Sequence, residues 1–232
     1  MRLRFHVDTN QTKIHSNSQW VQFIESLIKP VISGMPLNEP VAQQTEFIDS
    51  FSDEYGNRRA TDRPFISTLF GISQSPTVES SDALDEQLWW LINSNKLTKE
   101  HALDLIEPTG PLVSDSEKLA IEYRTMVELS ALHALWNFAQ EIASPDLINR
   151  CINAAHWHIK ELQPDNGINR PWAAHVFIYL ASTTLDHEMS SLANLHAQTL
   201  IHNTSVTLGQ PDRLSALILK DISNQLQKYQ AS

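Results

Sequence analysis

The strongest constraint on the fold is a series of five segments between residues 117 and 229 in which apolar residues recur every three or four positions. This spacing places the apolar side chains on one face of an α-helix. Caps and breakers separate the segments; Ser144-Pro145-Asp146, for example, favours a helix start. We therefore predict helices over about 117–143, 146–162, 171–185, 187–203 and 211–229.

The connections between these segments predict how the helices are arranged. Tight joints near residues 144 and 186 favour antiparallel neighbours, and they would share one end of the array. The longer loops 163–170 and 204–210 would then lie at the opposite end. The sequence thus predicts an all-α fold, an antiparallel array of helical hairpins.

The first 80 residues have a different character. Alternation of Leu3, Phe5 and Val7 with polar residues predicts a short strand, which would need a pairing partner elsewhere. The apolar stripe from Trp20 to Ile28 predicts a helix ended by Pro30, and Val41–Phe51 predicts another.

Residues 52–81 are polar and interrupted by Gly56, Pro64, Gly71 and Pro76, which indicates an irregular arm. Its apolar piece, Phe65 to Phe70, is expected to dock onto the core. We therefore predict two regions: residues 1–80, an N-terminal helix plus irregular arm, and residues 81–232, a helical-hairpin domain.

Charge and composition exclude several classes of function. The net charge of −10 disfavours nucleic acid and anionic lipid surfaces as partners. The longest near-apolar run, Trp172 to Ala181, is half of what a membrane-spanning helix needs, and no signal peptide is evident. With Cys151 as its single cysteine, the chain is predicted to be cytoplasmic.

No complete catalytic or cofactor motif can be read from the chain. Gly71 to Ser75 lacks the closing glycine of a nucleophile elbow, and Ser191 stands where a zinc-protease motif beginning at His187 requires histidine. Glycine-rich phosphate-binding strings are also missing. The sequence therefore predicts no cofactor and assigns no reaction.

Histidines make metal binding the obvious alternative, since seven of the ten lie between His133 and His202. Helical geometry separates most of them, and His158 shares a face only with Glu161. Two ligands do not make a closed zinc site, so no metal site is predicted. A metalloprotein that assembles His133, His158, Glu161 and His175 from several helices stays open as an alternative.

The best candidate site is the loop 163–170 and the helix start that follows. Its ligand-binding candidates are Asp165, Asn169, Arg170, Trp172 and His175, which could bind a polyhydroxylated or anionic small molecule. The alternative is a turn with a purely structural role, in which Asn169 caps a helix and Asp165 contacts Arg170.

The helix-hairpin rhythm of residues 117–229, with Gln163-Pro164-Asp165-Asn166-Gly167 followed by Asn169-Arg170-Pro171-Trp172, resembles part of the α/α-toroid proteins. That group contains many polysaccharide lyases, six-hairpin glycosidases and terpenoid cyclases. The resemblance implies a partial toroid with a site in the loops at one end, and it assigns no catalytic residue.

Three interpretations of function follow. The first is a protein-interaction or ligand-binding module, favoured by the acidic charge and by Trp89-Trp90, of which one ring is expected to stay partly exposed. The second is a small toroid-like enzyme or sugar-binding protein with its site around residues 163–175. The third is the helical metalloprotein. The expected partner is an unknown protein or a polar small molecule.

Overall fold

A computed structural model describes residues 16–74, 83–114, 120–162 and 168–231. Within these ranges the chain is helical without strands, which confirms the all-α prediction. The strand predicted at residues 3–7 lies outside the described residues. The helices are α1 (Asn17–Ile32), α2 (Val41–Ser50), α3 (Asp62–Leu69), α4 (Leu84–Asn93), α5 (Lys99–Leu105), α6 (Ile121–Glu141), α7 (Pro145–Glu161), α8 (Ala174–Thr183), α9 (His187–Asn203) and α10 (Arg213–Ala231).

Caps and breakers account for most of these boundaries, and they also show where the predictions were inaccurate. Ser16 caps α1 with a capping box, but Pro30 does not end that helix. Proline removes only its own N–H bond, and Ser33 still donates to the Lys29 carbonyl, so the helix continues to Ile32. In the predicted arm, residues 62–69 form the helix α3, because Phe65 and Ile66 are buried in the core.

Helices α6 to α10 alternate in direction, as predicted. The ends of α8 and α9 meet where Ser190 bonds the Ala181 carbonyl, and the end of α9 returns to the start of α8 where Asn203 bonds the Ile168 carbonyl. The tight joints thus share one end of the array. The toroid-like arrangement itself stays a prediction.

Helices α3, α4, α6 and α10 all run in one direction. Thr61, just before α3, bonds Asp85 in the first turn of α4, and Ile72, beyond the end of α3, accepts a bond from Asn93 at the end of α4. Met126 near the start of α6 lies by the start of α3, across a small cavity described below. The carboxyl-terminal parts of these four helices consequently meet at one end of the molecule.

The N-terminal residues are packed into the same core as the hairpins. Helix α1 lies along α10, where Glu25 accepts bonds from Lys220 and Ser223. One buried apolar cluster extends from Trp20 to Leu226. The boundary proposed near residue 80 stays a prediction. In the part of the chain that the structure describes, no helix is long and apolar enough to cross a membrane.

Candidate functional site

Arg170, the centre of the predicted site, is held by two carboxylates from distant parts of the chain. Its Nη2 lies 2.9 Å from Asp53 Oδ2, and its Nη1 pairs with Asp212 and donates to Ser215 Oγ at 3.1 Å. Arg170 is buried. Asp165, the residue predicted to contact Arg170, lies outside the described residues.

Asn169, Arg170 and Trp172 come together at a small cavity of about 240 Å³. Asn169 is exposed, whereas Trp172 is buried. Other residues that line this cavity, among them Arg59 and Asp62, belong to residues 52–81, the segment predicted to be an irregular arm. Three of the candidate residues thus line one cavity, but the contribution of residues 52–81 to its lining was not predicted.

Carboxylates offset the guanidinium groups of Arg59 and Arg170 at this small cavity. Arg59 pairs with Asp85 at 3.1 Å, and Asp62 accepts a bond from the Arg59 backbone N–H at 2.8 Å. Burial raises the pKa of Asp62 to about 6, against the opposing effect of that hydrogen bond. Arg58 instead donates to the backbone carbonyls of Ile48 and Asp49. The arginines of this cavity thus already have partners, and the cavity has the character of a structural network.

The fifth candidate, His175, belongs to a different network inside the helix array. It is fully buried against His133, with 4.3 Å between the ring centroids. Burial, and then the neighbouring His133 ring, hold the pKa of His175 well below its usual range. His175 is therefore a neutral imidazole that can donate through one nitrogen only.

This network converges on the carboxylate of Asp221. His133 Nδ1 accepts the Ala173 backbone N–H at 3.2 Å, so its ring proton is on Nε2 and is donated to Asp221 Oδ2 at 2.8 Å. Asn137 Nδ2 donates to the same oxygen at 2.7 Å, and its Oδ1 accepts the His175 Nε2 proton at 3.1 Å. Every hydrogen bond thus has an assigned direction.

The network is costly to maintain. Ala173 has a φ of 58°, a left-handed conformation that non-glycine residues rarely adopt, and it turns the N–H toward His133. His175 Nδ1 is buried without a hydrogen-bond partner. Backbone strain and unsatisfied buried polar atoms occur preferentially at functional sites, so the surroundings of Asp221 are a candidate functional site.

Asp221 lies in the wall of a cleft of about 930 Å³ that we call the polar cleft. Its lining comes from four helices: Phe65, Thr68 and Leu69 of α3, Trp89 and Ile92 of α4, residues 137, 138, 140 and 141 of α6, and residues 221, 224, 225, 227 and 228 of α10. Because Oδ2 accepts both network bonds, Oδ1 is the Asp221 oxygen available to the cleft.

The lining combines aromatic rings with side-chain amides. Phe65, Trp89 and Phe138 are buried aromatic residues of the lining, and the Trp89 N–H is already donated to Ser130 Oγ at 3.2 Å. Asn224 and Gln140 are half-buried and supply both hydrogen-bond donors and acceptors. The polar cleft can therefore bind an organic molecule through apolar contact and directed hydrogen bonds.

Sequence reasoning missed the residues that this cleft uses. His133 and Asn137 are four apart and share a helix face, and Asp221 stands between the buried residues Ile218 and Ile222. A carboxylate on an otherwise apolar helix face was the available signal. Its pairing with His133 was not readable, because 88 residues separate them.

The histidines named for a metal site are divided between two places. His158 is buried, with Nε2 3.7 Å from Glu128 Oε1, whereas Glu161 is exposed. In the described ranges, no group of three or more histidine, cysteine or acidic residues is placed to hold a metal ion.

Comparison of the chain with protein-family models, curated proteins and solved structures found no match. The function must therefore be inferred from the chemistry of the polar cleft and of the residues around it.

Proposed function

We propose that this protein binds a small organic ligand in the polar cleft, with Asp221 Oδ1 as the principal hydrogen-bond acceptor. The observation that carries this proposal is the orientation of Asp221 by His133 and Asn137 in the wall of a 930 Å³ space. Pockets that bind small molecules are typically about 300–1,000 Å³, mostly apolar, with a few fixed polar groups. The cleft has a volume in this range and fixed polar groups, and its lining joins apolar side chains with a larger number of polar ones.

Two fixed hydrogen bonds to one carboxylate favour ligand binding because they hold the acceptor in place before the ligand arrives. Asp221 has 11% of its side chain exposed, so it loses little mobility and little hydration on binding. Asn224 and Gln140 add donors and acceptors for a polar group of the ligand. A preorganised site of this kind needs fewer contacts to reach a given affinity.

This proposal keeps the ligand-binding interpretation of the sequence but moves its site. The loop candidate Arg170 is already neutralised by Asp53 and Asp212, whereas the acceptor Asp221 still has an oxygen to offer. The protein-interaction alternative would use exposed leucines of α9 such as Leu192 and Leu195. Those leucines offer apolar area alone, so we favour the cleft.

A cleft-filling variant tests the proposal without knowledge of the ligand. In Asn224→Trp, an indole would occupy the space between α10 and the helices opposite. Gln43→Trp places the same indole on exposed α2, away from the cleft, as a matched control. We would screen a metabolite library by thermal shift against wild type and both variants.

The proposal expects compounds that raise the melting temperature of wild type and Gln43→Trp but have no effect on Asn224→Trp. Compounds that act equally on all three proteins bind elsewhere. If every hit behaved in that way, the cleft would not be the binding site.

A further inference from the structure

We infer that the ligand of the polar cleft is an organic cation, a molecule that carries a protonated amine. This inference rests on the proposed function and specifies its ligand class. Three independent features of the cleft support it: the direction of the helices around it, the balance of charged side chains, and the geometry of Asp221.

Three helices end at the cleft. Leu69 is the last residue of α3, Ile92 is the penultimate residue of α4 and Glu141 is the last residue of α6, and all three line the space. Each helix has a partial negative charge at its carboxyl end because its peptide dipoles are aligned, and backbone N–H groups that follow the helix cap most of its last carbonyl groups. Three such ends at one cleft favour a cation there and disfavour an anion.

The opposite end of the same helices shows the complementary arrangement. The small cavity lies near the start of α3, α6 and α10, and the carboxylates there include Asp62 in the first turn of α3 and Asp212, which accepts the Ser215 N–H of α10. Asp62 and Asp212 thus offset positive helix ends there, beside Arg58, Arg59 and Arg170, which belong to the same part of the molecule. At the polar cleft the equivalent compensation would need basic groups.

The described lining of the polar cleft supplies little of that compensation. Asp221 and Glu141 are its acidic residues and Lys228 is its basic one. Lys228 is exposed, whereas only 11% of the Asp221 side chain is exposed. The charge that a ligand meets inside the cleft is consequently negative.

Asp221 also has the right hydrogen-bonding state for an ammonium group. His133 and Asn137 both donate to Oδ2 of the Asp221 carboxylate. Oδ1 can then accept a charge-assisted hydrogen bond from an ammonium donor. The buried rings of Phe65 and Phe138 provide apolar contact for the carbon skeleton and favourable surroundings for a cation.

A pair of nearly isosteric probes tests the inference: phenethylamine, which is a cation at neutral pH, and 2-phenylethanol, which is neutral. Glucose serves as a polyol probe. Dissociation constants would be measured by calorimetry with wild type, Asp221→Asn and Glu141→Gln. Because Glu141 is exposed, Glu141→Gln should fold even if Asp221→Asn does not, and Glu39→Gln removes an exposed acid away from the cleft as the matched control.

We expect phenethylamine to bind at least about tenfold more tightly than 2-phenylethanol, the ratio that a charge-assisted hydrogen bond supplies. Asp221→Asn should remove that advantage, and Glu141→Gln should reduce it by about twofold through the weaker effect of an exposed charge. Glu39→Gln should leave both dissociation constants unchanged.

Two outcomes overturn the inference and are distinguishable. If 2-phenylethanol or glucose binds as tightly as the amine, and Asn224→Trp abolishes that binding, the cleft is a ligand site but not for cations. If none of the three probes binds, and no library compound distinguishes Asn224→Trp from Gln43→Trp, the proposed function itself fails.

Discussion

Replacing Arg170 by alanine would test whether that residue is structural or free to bind a ligand. The substitution leaves the carboxylates of Asp53 and Asp212 buried without their guanidinium partner. Removing one partner of a buried ion pair costs about 3–5 kcal/mol, because the remaining charge is left uncompensated. We therefore expect Arg170→Ala to lower the free energy of unfolding by about 3–5 kcal/mol.

An exposed ion pair provides the matched control. Arg63 pairs with Asp49 at 2.8 Å, and their side chains are 32% and 52% exposed. Arg63→Ala should cost less than about 1 kcal/mol, since water screens and replaces an exposed pair. The two variants thus remove the same group from environments that differ in burial.

Urea denaturation followed by tryptophan fluorescence measures both changes. In a domain of this size, about 3–5 kcal/mol corresponds to a melting temperature lower by about 6–20 °C. An Arg170→Ala protein as stable as Arg63→Ala would refute the structural role, and Arg170 would then return as a candidate ligand-binding residue.

Three further predictions follow from burial. Because burial raises the pKa of Asp62 to about 6, its ionisation destabilises the folded state progressively as the pH rises from about 4 to 6. In denaturant titrations Asp62→Asn should therefore be more stable than wild type at pH 7, by up to about 3 kcal/mol, and this difference in stability should shrink toward pH 4. Burial lowers the pKa of His196 to about 3, so on acidification His196 is protonated in the unfolded state before it is protonated in the folded state, and stability is lost as the pH falls below about 6.5. His196→Gln should therefore lose less stability than wild type between about pH 6.5 and 4. An equal loss in both proteins would contradict the lowered pKa of His196. Burial also raises the pKa of the Cys151 thiol, so iodoacetamide should modify native protein at pH 8 far more slowly than urea-unfolded protein, as read by mass spectrometry, and equal rates would show that the thiol is accessible.

The helices were predictable where a local signal marks both ends. Helix α9 has the predicted bounds, 187–203, because Asp186 caps its start by accepting the Glu188 and Met189 N–H groups. Helix α8 begins at Ala174 and not at residue 171, because Ala173 adopts the left-handed conformation that aims its N–H at His133. Nothing in the local sequence marks an alanine for that conformation.

The site was less predictable because its contacts join residues distant in the chain. The loop around Arg170 attracted attention through its residue types, yet the partners that neutralise Arg170 include Asp53, 117 positions away. Asp221 and His133 lie on separate helices, and helical periodicity gives the face of each residue but not the helix that covers it. Long-range pairing was therefore the missing information.

The packing of α1 against α10 has a consequence for synthesis of the protein on the ribosome. Glu25 and Lys220, which form an ion pair across this interface, are 195 residues apart. At about 5–20 residues per second, the ribosome needs roughly 10–40 s to make α10 after α1 has emerged. During that interval the stripe of Trp20, Ile24 and Ile28, buried in the folded protein, lacks the helix that covers it. Helix α1 of the nascent chain is therefore exposed to aggregation and to chaperone binding until α10 has been translated.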